Sequence, residues 1–144
     1  SRCSCDFYDK RRAQTVADCQ AEAAAEKLHH YVSTQYWGYA PDEDLSIADM
    51  LAGRYQGIRP AAGYPSLPDQ WAIFTIAQSV GIETLGITVT ENGAMSPASS
   101  VCGLMIAHPQ AKYFVIGEID DDQRKLYAQQ RNISIEQLSK WLPR

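Results

Sequence analysis

One segment of the chain combines a cationic side chain, an aromatic ring and prolines within a few positions. Arg59 and Tyr64 each precede a proline, which pushes both residues toward extended backbone conformations. Gly63 lies between them and provides a position for positive φ or for close backbone approach. A guanidinium in such a rigid loop is suited to bind a carboxylate or phosphate through two hydrogen bonds. The segment 55–65 predicts an anion-binding loop or, alternatively, a connector whose arginine pairs with a surface acid.

A second unusual stretch, residues 91–100, consists mostly of small side chains. Small side chains leave backbone groups uncovered at places where a ligand can approach. The stretch therefore predicts a loop that contacts a ligand or, alternatively, a wide loop between strands.

An acidic run, Glu118 and Asp120 to Asp122, lies at a predicted junction between a strand and a helix. Carboxylates in the first turn of a helix interact favourably with the helix dipole, and this is the interpretation we favour. Metal binding by the run is the alternative. The sequence contains no G-x-G-x-x-G, P-loop, H-E-x-x-H or G-x-S-x-G signature, so we assign no catalytic residue.

The four cysteines, at positions 3, 5, 19 and 102, can pair in three ways. Only Cys3 and Cys5 are close in sequence, whereas a zinc site usually takes two close pairs of ligands. His29 and His30 are adjacent on a predicted helix and point in different directions. We therefore expect no metal and free thiols in a reducing compartment, with Cys19 and Cys102 as small core residues.

Length and composition indicate an ordinary globular protein. The 144 residues fit one domain, and 45% of them are hydrophobic. A formal charge of −4, a pI of about 5.3 and no basic cluster beyond residues 10–12 argue against nucleic-acid binding. No apolar run approaches the ~20 residues of a spanning helix, so no membrane association is expected. The chain begins at Ser1 without an initiator Met, and we expect it to be a piece of a longer protein.

The first half of the chain is predicted to be helical. A long helix over 6–34 places small and apolar residues on one face, namely Ala17, Ala21, Ala24, Leu28 and Tyr31. Ser46 with Asp49 predicts a capped short helix that ends at Gly53. After a proline-punctuated loop over 54–69, Asp69 is expected to cap a helix from Gln70 to Val80 that Gly81 closes.

In the second half of the chain, the spacing of apolar residues changes from a helical to an alternating pattern. The segments 86–90, 101–107 and 113–119 predict three strands, with a turn at 108–111 between the last two. Asp120 is expected to cap a helix to about Arg131, and Ser134 with Gln137 to open a last helix through Trp141. Helices, then strands, then helices indicate an α+β fold with an antiparallel sheet and flanking helices.

Several motifs in this order resemble the C-terminal activation domain of cobalamin-dependent methionine synthases. They are YWGYAPDEDLS at 36–46, GIRPAAGYP at 57–65, TENGAMSPASSVCG at 90–103 and HPQAKYF at 108–114. The closing pattern, with NIS and WL near the C-terminus, is also similar to that family. The resemblance extends from about Asp6 to the end of the chain.

The resemblance implies a function in reactivation. Domains of this family bind S-adenosylmethionine and support the reductive methylation of cob(II)alamin to methylcobalamin in methionine biosynthesis. The implied partners are a cobalamin-binding domain, which holds the cobalamin, and a flavodoxin or flavin reductase in the cytoplasm. Because the sulfonium is an activated methyl donor, the protein needs mainly to bind, orient and exclude water.

The resemblance also implies binding residues. Arg59 matches an arginine that holds the S-adenosylmethionine carboxylate, and Glu22 matches a glutamate of the same site. Tyr113 and Phe114 match residues whose backbone contacts the ligand. Tyr64 matches a tyrosine on the cobalamin side.

The sequence departs from the family pattern at Gln70, where the family usually has histidine, and in a shorter helix after it. The family domain also extends upstream of Asp6 and carries an acidic ligand to S-adenosylmethionine there. We therefore expect residues 1–144 to be the C-terminal portion of one activation domain and to be inactive alone. Two alternatives remain: a non-catalytic interaction module that has lost the ligand, and a methyltransferase with its own substrate.

Overall fold

The computed structural model describes the backbone of residues 2–142 and the side chains of residues 10–142. Its helices, in chain order, are α1 (Arg2–Tyr31), α2 (Ile47–Leu51), α3 (Ala72–Val80), α4 (Asp121–Gln130) and α5 (Ile135–Leu138). A π-helical turn, Val32–Tyr36, follows α1, and a 3-10 turn, Ile82–Leu85, follows α3. The strands β1 (Thr88–Val89) and β2 (Met95–Ser96) form an antiparallel pair.

The buried face of α1 differs from the predicted one. Ala17 and Ala21 are half-buried as expected, but Ala24 and Leu28 are exposed. The face continues instead through Ala25 and the buried polar residues His29 and Ser33, which hydrogen-bond Tyr39 and Glu43. A hydrophobic pattern misses this face because its polar members are buried with hydrogen-bond partners. Cys19, predicted in the core, is also exposed on this helix.

The predicted helix signals are present in the structure. Ser46 accepts a hydrogen bond from the Asp49 N–H at the start of α2, and Gly81 ends α3 with φ +64°. Asp120 with Gln123, and Ser134 with Gln137, form capping boxes at α4 and α5. These signals act between residues three or four apart, which is why sequence alone is sufficient to find them.

Asp69 has a larger role than the predicted helix cap. Its carboxylate accepts a hydrogen bond from the Trp71 N–H at 2.9 Å, but α3 begins only at Ala72 rather than at Gln70. Asp69 is buried, and it also accepts from the Tyr127 hydroxyl of α4 at 2.6 Å and pairs with Arg131, the residue that follows α4. The carboxylate thus ties the start of α3 to α4.

The C-terminal region holds a compact apolar cluster. Ala128 of α4, Leu138 of α5 and Leu142 are almost fully buried, and Ile119, Tyr127 and Ile133 pack against them. α5 is shorter than predicted, because it ends at Leu138 and turns lead on to Trp141. Trp141 in turn packs edge-on against Trp71 and Phe74, which fastens α3 to this cluster.

Two of the three predicted strands are not regular strands. Segment 101–107 pairs with residues 58–62 through isolated antiparallel bridges, at Ile58 with Ile106 and at Ala61 with Gly103. Hydrogen bonds of 2.9–3.1 Å join the two segments along this length. Segment 113–119 has no strand pairing in the described part of the chain. A strand needs a hydrogen-bonded neighbour, which β-branched composition by itself does not supply.

The predicted class is nevertheless confirmed. The fold is α+β, with a small antiparallel sheet and flanking helices. Strand β1 lies inside the predicted segment 86–90, and the predicted turn at 108–111 closes through a 2.9 Å bond from the Ala111 N–H to the His108 carbonyl. Among residues 2–142, no helix combines the length and the apolar character needed to cross a membrane.

Candidate functional site

A groove of about 810 Å³ lies between α1 and three extended segments, 59–66, 98–105 and 113–115. All five residues predicted to bind a ligand are among those that line it. They are Glu22, Arg59, Tyr64, Tyr113 and Phe114. The buried Ile73 of α3 and the half-buried Met95 and Met105 add apolar lining. The fold therefore brings together residues that are up to 92 positions apart in the chain.

Arg59 is fixed on the wall of the groove by α1. Its Nη2 donates to Glu26 Oε1 at 2.6 Å and its Nη1 donates to the Ala25 carbonyl at 3.0 Å. The two paired side chains are 19% and 25% exposed, so this ion pair is far more shielded than the surface pair of Arg54 with Asp49. Sequence analysis found Arg59 but not Glu26, because the two lie 33 positions apart.

The backbone of the Arg59 loop is held on its other side. The Arg59 N–H donates to the Tyr113 hydroxyl at 2.8 Å, and the Ile58 N–H donates to the Ile106 carbonyl at 3.0 Å. Gly57, at φ +90°, allows this approach, because a Cβ there would lie 2.3 Å from the Ile106 oxygen. Gly103 has the same role opposite Pro60, whose carbonyl would lie 2.5 Å from a Cβ. The loop is thus rigid through close backbone packing as well as through its prolines.

Arg59 also borders a small cavity whose lining includes the polar side chains of Glu26, His29 and Tyr55. Burial by itself raises the pKa of Glu26, but the hydrogen bond and charge of Arg59 outweigh it, so the pKa lies below its usual value. Tyr55 donates to the Glu26 carbonyl at 3.1 Å, and burial followed by the Glu26 carboxylate raises the pKa of its phenol. His29 stacks on Tyr55 with ring centroids 4.1 Å apart, and burial together with Arg59 lowers the pKa of this histidine. Glu26 therefore carries a negative charge next to a neutral histidine at neutral pH.

Tyr113 and Phe114 sit beside the groove with exposed rings. Both backbone groups of Phe114 are bonded to Ser66: its N–H donates to the Ser66 hydroxyl at 3.1 Å, and its carbonyl accepts from that hydroxyl at 2.7 Å. The Phe114 backbone is thus bonded within the chain, and its contact with a ligand stays a prediction. Tyr113 instead contributes its hydroxyl to the Arg59 loop.

Glu22 and Tyr64 line the groove from two different parts of the chain, α1 and the Arg59 loop. Glu22 lies on the exposed side of α1, one helical turn before Glu26. Tyr64 follows Gly63, whose φ of +86° confirms the predicted positive-φ position, and its ring is 65% exposed. Gln70, the position that departs from the family pattern, donates its backbone N–H to the Trp141 carbonyl at 3.2 Å.

The small-residue stretch contributes Ser99, which sequence analysis did not single out, and Cys102 lies just after the stretch. Ser99 donates to Asp18 of α1 at 2.8 Å and accepts from Gln14 at 2.7 Å, which ties the stretch to α1. Cys102 lines the groove, is half-buried rather than fully in the core, and has a pKa raised by burial. The composition of the stretch marked it as ligand-accessible, but the polar contact of Ser99 with a helix 81 positions away needed the tertiary structure.

The remaining chemical candidates have structural roles or lie outside the description. Asp120 caps α4 and Asp121 and Asp122 occupy its first turn, as the favoured interpretation of the acidic run predicted. Among the described side chains, no group of three or more His, Cys, Asp and Glu is arranged to hold a metal ion. Cys19 and Cys102 are free thiols, whereas the side chains of Cys3 and Cys5 lie outside the described residues.

The chain is similar to known proteins in both sequence and structure. The model of the family described as "Vitamin B12 dependent methionine synthase, activation domain" matches residues 2–132. A solved structure, the MetH reactivation domain bound to AdoHcy, is 39% identical and has a TM-score of 0.91. The similarity covers 97% of this chain but 43% of that one, so the chain spans less than half the length of the solved relative.

Proposed function

Because the chain belongs to the family of vitamin B12-dependent methionine synthase activation domains, we propose that its groove binds S-adenosylmethionine for reactivation of such an enzyme. The observation that carries this proposal is the grouping of all five predicted contact residues around one groove. Its volume of about 810 Å³ is within the range of roughly 300–1,000 Å³ that is usual for small-molecule sites. The similar solved domain is described as bound to AdoHcy, the product form of the same ligand.

The groove residues suit the separate parts of this ligand. Arg59 offers a fixed guanidinium to the carboxylate of the methionine part. Glu22 supplies a negative charge for the ammonium or the sulfonium, and the small residues 98–103 leave the backbone open to the remaining surface. The exposed ring of Tyr64 supports its proposed role in contact with the partner that receives the methyl group.

The proposed reaction needs orientation more than acid–base chemistry. A cobalamin held by a partner domain would supply the cobalt nucleophile for the methyl group, and a flavodoxin or flavin reductase would supply the electron for its reduction. The role that we propose for the residues of this chain is to orient the methyl group of the sulfonium and to exclude water from it. The free thiols Cys19 and Cys102 suit a reducing compartment, and we assign the protein to the cytoplasm on this ground. We also treat residues 1–144 as one unit, a portion of the activation domain.

One observation favours the alternative function, a non-catalytic interaction module with this fold. Both backbone groups of Phe114 are occupied by Ser66, which leaves one of the proposed ligand contacts already satisfied within the chain. Binding of S-adenosylmethionine discriminates between the two functions, because the interaction module does not require it.

Isothermal calorimetry on the complete polypeptide that contains this sequence tests the proposal. We expect saturable binding of S-adenosylmethionine, and we expect Arg59→Ala to weaken it by more than about 1 kcal/mol through loss of a charge-assisted bond. Arg54→Ala is the matched control, since Arg54 is an exposed arginine that pairs with Asp49 and does not line the groove. An unchanged affinity in Arg59→Ala would contradict the role of Arg59. Absence of any binding would favour the interaction module.

A further inference from the structure

Arg59 forms an ion pair with Glu26, and the binding of a ligand carboxylate by Arg59 does not by itself require this pair. Glu26 does not line the groove: it contributes to a small cavity on the other side of Arg59, which it shares with His29 and Tyr55. Arg59 lines both spaces. The carboxylate of Glu26 therefore holds the guanidinium from behind rather than occupying the place of a ligand.

We propose that Glu26 is a positioning residue, which fixes the Arg59 guanidinium so that its remaining donors are available to a carboxylate-bearing ligand in the groove. This inference rests on the proposed binding of S-adenosylmethionine by Arg59. A guanidinium has five N–H donors. The bonds to Glu26 and Ala25 use two of them, and the others are left for the ligand.

Fixing the Arg59 side chain before the ligand binds lowers the entropy that is lost on binding. A free arginine side chain loses much rotamer freedom when it grips a ligand, and an arginine already held in place loses less. Glu26 is itself held, because it lies in α1 between Ala25, which bonds Arg59, and the buried His29, and because Tyr55 bonds its carbonyl. The support for Arg59 thus belongs to the most buried part of α1.

A second effect of Glu26 opposes the first. Its negative charge repels a ligand carboxylate that approaches the same guanidinium, and the low pKa keeps that charge at neutral pH. If repulsion prevailed, removing the charge would strengthen binding of the ligand. If positioning prevails, as we propose, removing the charge weakens it. The sign of the change therefore separates the two effects.

The experiment compares two ligands in calorimetry of the complete polypeptide. S-adenosylhomocysteine carries the carboxylate, and its decarboxylated analogue lacks only that group. We expect Glu26→Gln to weaken binding of S-adenosylhomocysteine at least tenfold and to change binding of the analogue less than twofold. Glu83→Gln is the control for charge, since Glu83 is exposed in the 3-10 turn and does not line the groove.

Each outcome has a defined meaning. Equal weakening for both ligands would show a general structural role and overturn the inference, as would unchanged or tighter binding of S-adenosylhomocysteine. If Glu26→Gln does not fold, Glu26→Asp decides by the same selectivity, because it keeps the charge but draws the carboxylate back by one methylene. Failure of the unmodified protein to bind either ligand would contradict the proposed function itself. If the unmodified protein binds both ligands but the variant does not lose affinity selectively for S-adenosylhomocysteine, only the role of Glu26 is contradicted.

Discussion

The region around α4 and α5 and the region around the groove are built in opposite ways. Residues 119–142 pack apolar side chains around Leu138, which is 1% exposed, and both helices begin with complete capping boxes. The groove instead is lined by half-exposed aromatic rings and is held in shape by backbone pairing and by the Glu26–Arg59 ion pair. Burial of apolar surface stabilises the first region, whereas hydrogen bonds orient groups in the second.

This difference indicates that stability and binding are carried by separate parts of the chain. An apolar cluster such as that of Ala128, Leu138 and Leu142 contributes free energy of folding without directional demands. A binding surface needs accessible groups, and accessible groups contribute little burial. The groove is therefore held rigid by features that leave its lining groups accessible, namely glycines at close backbone approaches and a partly buried ion pair.

The largest expected effect tests where stability resides. We expect Leu138→Ala to lower the free energy of unfolding by about 2–5 kcal/mol, because it removes methyl groups from the fully buried centre of the C-terminal cluster. Leu28→Ala is the matched change at the groove. Leu28 is 49% exposed, and we expect it to cost less than about 1 kcal/mol. Chemical denaturation measures both, and similar losses for the two leucines would contradict the proposed division.

A smaller effect is expected from the close backbone approach in the groove loop. Gly57→Ala adds a Cβ that would lie 2.3 Å from the Ile106 carbonyl, at a φ of +90°. We expect a loss of about 1–3 kcal/mol in the free energy of unfolding, since both the strained φ and the contact must be accommodated.

Gly53→Ala separates the two causes in this prediction. Gly53 also has positive φ, +66°, but a Cβ there meets nothing within 4 Å. Denaturation of both variants should show the greater loss at Gly57, together with weaker ligand binding in that variant alone. Equal losses would mean that the positive φ alone makes alanine unfavourable at position 57. The close approach of residues 58–62 to 102–106 would then contribute nothing to the loss.

The smallest expected effect compares two serine caps. We expect Ser134→Ala to cost about 1 kcal/mol in the free energy of unfolding, because it breaks a capping box on a helix that carries the buried Leu138. Ser46→Ala removes the equivalent cap from α2, which buries no residue, and should cost at most about 0.5 kcal/mol. Thermal unfolding of the two variants measures the difference. A larger loss at Ser46 would contradict the greater stability that we assign to the region around α4 and α5.

Much of this organisation was predictable from sequence. The helix caps at Ser46, Asp120 and Ser134 and the stop at Gly81 follow from side chains that act on backbone groups a few residues away. The α+β class followed from the change of hydrophobic period. The segment 113–119 was wrongly predicted as a strand, because composition indicates extended backbone but cannot indicate a pairing partner.

The candidate site was predictable in part and for a different reason. Arg59 stood out because its proline and glycine neighbours restrict the local backbone. Tyr64 stood out in the same loop, whereas Glu22, Tyr113 and Phe114 were found only through resemblance to a family. All four line the groove. Glu26 carried no signal, because a glutamate on a helix is ordinary until its partner is known.

The sequence alone determined the local structure: where helices begin and end, which loop is rigid, and which arginine that loop presents. Local structure depends on atoms within a few residues of each other, so the order of residue types is sufficient to specify it. The tertiary structure alone decided the face of α1 that is buried, the pairing of 58–62 with 102–106, and the ion pair that holds Arg59. These contacts join distant segments, and their formation depends on how the whole chain packs. The groove consequently exists only in the folded protein, although its central residue is recognisable in the sequence.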